Sequence, residues 1–252
     1  MWHGEYRDPR LVEVYDAEHL WGWEDDFFMR VLADRVTPRV LDLGCGTGRL
    51  AIAMAVAGHE VTAVDPARAV LDAARRKPGA DGVRWIEGSF ETLPPRAFDA
   101  AFLTGHVAEL MVTDDEWSGA LHALRDSLTA DGRLILNTRD PAARPWQDWN
   151  RAATERPVVL ADGSVVRAWT ESDLEKERGT VSVVHHYLFP DGLELTSTAA
   201  HRLRDEDTLR DSLRTAGFRV EELYGGWGRE PAGLSEDGEL IVIALAEPRM
   251  LA

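Results

Sequence analysis

The stretch Val40-Leu41-Asp42-Leu43-Gly44-Cys45-Gly46-Thr47-Gly48-Arg49-Leu50 sets three glycines at alternate positions behind an apolar run that carries one acid. The run from Arg39 to Leu43 reads as a strand buried on both faces. Small and apolar residues from Arg49 to Ala57 then read as a helix that Gly58 can close as a left-handed cap. Glycines at a strand-to-helix junction allow a tight turn whose amides come against a ligand, because no side chain stands between. What limits the fold is that the unit repeats. A second strand, Glu60 to Val64, ends at Asp65-Pro66 and feeds a helix to about Lys77, stopped by Pro78-Gly79. A third, Val83 to Glu87, runs into GSFETLPP, and a fourth covers Phe98 to Leu103. Thr113-Asp114-Asp115-Glu116 forms a capping box before a helix to about Leu128, and a fifth strand spans Arg133 to Asn137. Five such alternations predict a parallel sheet covered on both faces, with its ligand at the carboxyl ends of the strands.

The regularity breaks after Asn137. Residues from about Pro157 to Arg204 read as three or four strands with turns at Ala161-Asp162-Gly163, Arg178-Gly179 and Pro190-Asp191-Gly192, and no helix between them. A helix from Asp207 to Ala216 and two strands, Phe218 to Leu223 and Leu240 to Ala246, restore the earlier rhythm. Ahead of the first strand, Leu11, Val12, Val14 and Tyr15 give one helical face, HLWGWEDDFF interrupts, and Phe27, Phe28, Val31 and Leu32 begin a second helix ending near Thr37-Pro38. The acids of WEDDFF read as a solvated helix start, with substrate contact as the other reading. The expected division is an N-terminal helical cap (1–37), an α/β domain (38–144 and 205–252) and an antiparallel β insertion (145–204).

A chain of 252 residues, 44% of them hydrophobic, can bury a full core. Its 44 acidic against 28 basic residues give a formal charge of −16, and the basic ones are scattered, so nucleic acid and anionic membranes are not expected partners. The single cysteine, Cys45, excludes an internal disulfide, and no spaced Cys/His set predicts a metal site. No run of eighteen apolar residues and no leader-like start occur, which fits a cytoplasmic protein, monomer or homodimer.

The dinucleotide fingerprint G-x-G-x-x-G fails at Gly48, which arrives one position early. What matches is D-x-G-x-G-x-G, which closely resembles the first motif of class I S-adenosylmethionine-dependent methyltransferases of the small-molecule type. The resemblance covers Val40 to about Asn137, and the last helix and two strands also fit. It implies an α/β, Rossmann-like doubly wound seven-stranded sheet, mostly parallel with one antiparallel strand, on which the antiparallel insertion acts as a lid. It implies S-adenosyl-L-methionine as cofactor and S-adenosyl-L-homocysteine as product. Asp42 suits the ammonium group of the methionine part, while amides of the loop Gly44, Cys45, Gly46 and Gly48 suit its carboxylate. Asp65 stands where a carboxylate accepts both ribose hydroxyls; the other reading is a cap for the helix after Pro66. In the family the loop after the third strand offers an acid to adenine. Here it reads Gly88-Ser89-Phe90, with a serine in the acid's place and Phe90 against the ring. Thr104 and His106 fall where related enzymes line the methionine end and the substrate entrance.

Methyl transfer is carried mainly by alignment in a dry pocket, worth about 7–11 kcal/mol. The candidate bases are His106, His185 and His186. The last two lie in one predicted strand, so at most one faces the site; His106 and His186 are the catalytic candidates, and His106 also reads as a structural histidine. Tyr15, Trp21, Trp23, Trp146, Trp149 and Trp169, with Arg139, are the candidate acceptor contacts, on segments able to fold over the carboxyl edge; packing of the insertion is the other reading for the tryptophans. The expected function is transfer of a methyl group to N or O of a small-molecule acceptor. A protein of the same fold that binds S-adenosylmethionine without methylating is the alternative, and a nucleic-acid methyltransferase comes third.

Overall fold

The computed structural model describes residues 6–33, 39–175 and 179–248. Two helices, α1 (Pro9–Glu18) and α2 (Trp23–Ala33), precede strand β1 (Arg39–Leu43), helix α3 (Arg49–Val56), β2 (Glu60–Asp65), α4 (Arg68–Ala74), β3 (Val83–Glu87), β4 (Phe98–Leu103), α5 (Asp114–Ser127) and β5 (Leu128–Arg139). The short helix α6 (Arg151–Thr154) leads to β6 (Arg156–Val159), β7 (Val165–Glu175), β8 (Thr180–Leu188) and β9 (Glu194–His201), and the chain closes with α7 (Glu206–Thr215), β10 (Phe218–Tyr224) and β11 (Glu239–Ala246).

The large sheet has the order β10-β11-β5-β4-β1-β2-β3, and β11 alone runs antiparallel to its neighbours. This is the seven-stranded Rossmann-like methyltransferase sheet. Strand order reverses between β1 and β4, so the carboxyl ends of these two strands flank the crevice in which such sheets bind ligands. Alternation along β1 sends Leu41 and Leu43 into a core with α5 and α7, and Val40 into the opposite core with Phe27 and Phe28 of α2 and Met54 of α3. Asp42 therefore emerges on the α2/α3 side.

The second sheet, β6-β7-β8-β9, is antiparallel throughout. Helix α1 joins it to the core: Leu11 and Val14 pack with Val166 and Tyr187 of this sheet, while Val12 packs with Ala67 and Val70 beside α4. On the far side, the buried Arg204 donates to the carbonyls of Ala108 and Met111 and lies over Trp117 at 4.6 Å. Among the described residues no helix is long and apolar enough to cross a membrane.

Several boundaries move. Helix α2 starts at Trp23, so WEDDFF is its first turn rather than part of an interruption; the expected end at Thr37-Pro38 lies outside the described residues, as does Arg178 of the second expected turn. Helix α4 stops at Ala74, short of Lys77, and β5 begins at Leu128 because the strand resumes its ladder after a register shift around Asp131-Gly132.

Candidate functional site

Asp42 is 3% exposed, and its carboxylate takes no hydrogen bond from a described residue. It lines a small pocket with Gly44, Cys45, Thr104 and Gly105, roofed by Tyr15 and His19 of the N-terminal segment. Burial, and then the neighbouring charge of Asp65, pushes its pKa up to about 7, against the pull of Arg49. An orphan buried carboxylate is costly unless a cation joins it, so this pocket fits a ligand ammonium group. Burial also pushes the Cys45 thiol well up, keeping it neutral.

The three glycines divide by role. A Cβ on Gly44 would lie 2.7 Å from Val107, and one on Gly48 2.3 Å from Trp85, and both residues have φ near +78°, at 77° and 78°. These two glycines are required by packing and backbone alone. A Cβ on Gly46 would meet the Tyr15 hydroxyl at 3.6 Å and its ring at 3.9 Å, ordinary contact distances, so packing does not require this glycine, although its φ of 53° favours one. Gly46 and Gly48 both lie outside the pocket lining, and the loop amides expected to meet a ligand carboxylate are spent inside the protein: those of Gly44 and Cys45 donate to the Val64 carbonyl, that of Gly46 to Asp65 and that of Gly48 to the Cys45 carbonyl.

Asp65 makes the capping contact that was the other reading of it. One carboxyl oxygen accepts the Gly46 amide at 3.0 Å and the other accepts the Ala67 amide at 2.8 Å, so the side chain pins the glycine loop and caps the turn after Pro66. Burial drives its pKa up to about 6 despite these two amides. Each oxygen keeps a second lone pair for a ribose hydroxyl.

Beyond Gly44 the crevice continues into a mainly apolar slot of about 230 Å³ walled by Leu43, Pro66, Phe90, Val107 and Met111, with Ser89 at its edge. The Ser89 hydroxyl accepts the Glu91 amide at 3.3 Å, which fixes the turn carrying Phe90. Gly88 is tight against Thr92, whose Oγ1 would lie 2.6 Å from an added Cβ.

On the other side a cavity of about 360 Å³ opens between the large sheet, α1 and the small sheet. It shares Tyr15, His19, Glu24, Arg49 and Gly105 with the Asp42 pocket. Its walls include His106, Arg139, Trp149, His185, Tyr187 and His201. His106 adopts φ 63°, a left-handed conformation that a non-glycine residue holds only under constraint. Its Nε2 lies 2.8 Å from Glu239 Oε1. Glu109, fully buried, accepts from the Arg139 backbone amide (2.8 Å) and Arg139 Nη1 (2.7 Å), and lies 2.9 Å from His201 Nδ1. Burial pushes that carboxyl upward, yet Arg139, His201 and His106 together outweigh it and hold its pKa at about 2.

A methyltransferase-domain family model matches residues 40–132. The cypemycin N-terminal methyltransferase of a Streptomyces species is 36% identical over 208 residues, 81% of this chain and 82% of that protein. This chain belongs to the S-adenosylmethionine-dependent methyltransferases. Among solved structures, the CcbJ methyltransferase from Streptomyces caelestis superposes with a TM-score of 0.74 at 22% identity, covering 92% of this chain and 95% of that one. CalS10, an amino pentose methyltransferase from Micromonospora echinaspora with S-adenosylmethionine bound, gives 0.69 at 21% identity, covering 92% and 94%. S-adenosylmethionine is thus the cofactor of this methyltransferase, and the orphan Asp42 and the Phe90 slot fit its methionine and adenine ends.

The methyltransferase does not gather all the aromatic residues singled out in its sequence. Trp149 walls the cavity, with Arg139 5.0 Å from its ring centroid and His201 edge-on at 6.1 Å. Trp23 is 79% exposed, and Trp21 turns outward to donate to Asp26, so neither lines the cavity. Trp146 packs farther along the small sheet with Val181 and Leu174. Trp169 projects from the opposite face, stacked on His186 at 4.7 Å under Arg151. Strand parity explains this: Val183, His185 and Tyr187 line the cavity, so His186 points away, toward Glu171 and Glu194. The imidazole on the cavity side is His185, 3.0 Å from Thr170 Oγ1. The WEDDFF acids divide: Asp26 is exposed in the first turn of α2, whereas Asp25 is buried and pairs, with Glu24, to Arg49 of α3, and Glu24 borders the cavity. Glu109, His201 and Glu239 were missed. The one signal for Glu239 was an acid opening the apolar strand GELIVIALA.

Proposed function

We propose that this methyltransferase transfers a methyl group to a nitrogen or oxygen of a small-molecule acceptor seated in the cavity beneath the small sheet. The observation that carries the reading is the shared wall: Tyr15, His19, Glu24, Arg49 and Gly105 border both the Asp42 pocket and this cavity, so an acceptor there abuts the methionine end. When bound, S-adenosylmethionine supplies an electrophilic methyl on a sulfonium that departs as a neutral thioether, keeping the electron pair of the broken bond. Asp42 pairs with the ligand ammonium, and Pro66, Phe90 and Met111 hold the adenine. Tyr15, Trp149 and the β7–β9 face hold the acceptor and exclude water, so that alignment supplies most of the rate. His106 takes the proton that the acceptor sheds, a contribution of about 10²–10⁴-fold.

The division into an N-terminal cap (1–37), a catalytic domain (38–144 and 205–252) and a lid (145–204) belongs to the same reading, as does the absence of nucleic acid among the partners, which the charge of −16 supports. The name of the Streptomyces relative, an N-terminal methyltransferase, favours nitrogen. The test is incubation with S-adenosylmethionine and a panel of amines, short peptides with free amino termini, amino sugars and phenols, read by mass spectrometry. One product heavier by a methylene, with matching adenosylhomocysteine, is expected. Turnover only on RNA, protein side chains or DNA overturns the reading.

A further inference from the structure

The proton-accepting nitrogen of His106 is chosen by a chain of hydrogen bonds running through the last strand. The Gly105 amide donates to Asn137 Oδ1 at 3.0 Å, which fixes the orientation of that buried amide. The opposite end, Asn137 Nδ2, must then point elsewhere, and it donates to Glu239 Oε2 at 3.0 Å. The second oxygen of the same carboxylate, Oε1, is left to face His106 Nε2 at 2.8 Å. A carboxylate that already accepts at one oxygen accepts at the other, so the proton of the neutral imidazole sits on Nε2 and the lone pair on Nδ1. No described residue bonds to Nδ1. Glu239 itself is held between β5 and β10: it pairs with Arg139 across the ladder, and its amide donates to the Gly225 carbonyl.

We propose that Glu239 is the positioning residue of the transfer: with Asn137 it holds His106 in the Nε2–H tautomer, so that Nδ1 receives the acceptor's proton and the imidazolium that forms faces a carboxylate. The inference rests on His106 being the proton acceptor. As the acceptor's N–H or O–H bond breaks, its electron pair stays on the newly methylated atom, the proton joins Nδ1, and the positive charge that leaves the sulfonium ends on the imidazole. The other charged groups near His106 are Glu109, paired with Arg139, and His201 on β9. Glu109 is hydrogen-bonded to Arg139 and His201 and feels His106 only through space, whereas Glu239 is the carboxylate that touches the His106 ring.

The first arm of the test needs no identified acceptor. In histidine-¹⁵N-labelled full-length protein saturated with S-adenosylhomocysteine, the His106 signals, assigned by their loss in His106→Asn, should show a protonated Nε2 and a bare Nδ1. Glu239→Gln, which can turn either end of its amide to the ring, should lose this single tautomer, while Glu239→Asp restores it in part. Adenosylhomocysteine affinity should stay within twofold in all three proteins. On whichever amine, peptide or phenol the panel yields, kcat of Glu239→Gln should fall about 10²-fold or more with KM little changed. An unchanged tautomer in Glu239→Gln, or an Nδ1–H form in the parent, overturns the role of Glu239. A His106→Asn enzyme that methylates at the parent's rate overturns the base reading instead, so the two failures are distinguishable.

Discussion

Asp42 costs the ligand-free protein stability and gives the cofactor-bound one its anchor, and both effects are visible through pH. Its folded pKa is raised from 3.8 to about 7, so its contribution to stability is fully present below pH 3.8 and is lost as pH rises through 7. Asp42→Asn should therefore raise the melting temperature of the ligand-free protein at pH 8, by the equivalent of a few kcal/mol at most, and the difference should shrink as pH falls and vanish below pH 3.8. Binding runs the other way. Only the ionised form pairs with an ammonium, so S-adenosylmethionine affinity of the parent should strengthen from pH 6 to pH 8. Asp42→Asn should bind at least tenfold more weakly at pH 8, since a charge-assisted hydrogen bond is worth about 1.5–3 kcal/mol. Isothermal titration checks both, and a parent affinity flat in pH would contradict the assignment. Asp42 was legible because it sits beside the glycines in sequence, and Asp65 because it closes the next strand just before a proline. Glu239 and His106 are 133 residues apart and meet only when β11 closes on β5, which no local pattern announces.

The strand-turn-helix element β1–α3 separates stability from binding within five residues. At Gly48 an added Cβ meets the fixed indole of Trp85 as well as a positive φ, so Gly48→Ala should cost about 3 kcal/mol or more and lower the melting temperature by roughly 6–12 °C. At Gly46 only the backbone term applies, about 1–2 kcal/mol, so Gly46→Ala should melt only about 2–8 °C below the parent, while weaker donor binding appears in calorimetry. Equal melting temperatures for the two variants would remove the distinction. Strands are also where sequence reasoning was most and least informative. Alternation showed that His185 and His186 face opposite ways, yet parity alone does not say which face of an antiparallel sheet meets the core. That was decided by α1, whose Leu11 and Val14 pack against the face that carries Tyr187.

Across the whole molecule, the seven-stranded order was readable because each βα unit carries its own punctuation, whereas the seating of the small sheet depends on contacts from scattered segments. Arg204, its pKa lowered to about 10 mainly by burial, is bound to the Ala108 and Met111 carbonyls, and the Arg202 amide donates to the Glu109 carbonyl. The aromatic residues accordingly separate. Trp149→Ala should raise the acceptor KM several-fold and leave donor affinity unchanged, while Trp169→Ala and Trp23→Ala should leave both unchanged in steady-state assays. A KM effect from Trp169→Ala matching that of Trp149→Ala would mean that the other face of the sheet is in use.

The wall common to the two compartments carries a temporal consequence. Tyr15, with its hydroxyl over Gly46, and His19, stacked on it at 4.0 Å, roof the Asp42 pocket and at the same time border the larger cavity. Whatever occupies the cavity stands on the route by which the methionine end arrives and departs. Turnover should then follow a compulsory sequence, cofactor on first and spent cofactor off last. Adenosylhomocysteine should compete with S-adenosylmethionine but give mixed inhibition against the acceptor, and the methylated product should not compete with S-adenosylmethionine; random-order inhibition patterns would show that the roof opens independently of the cavity it borders.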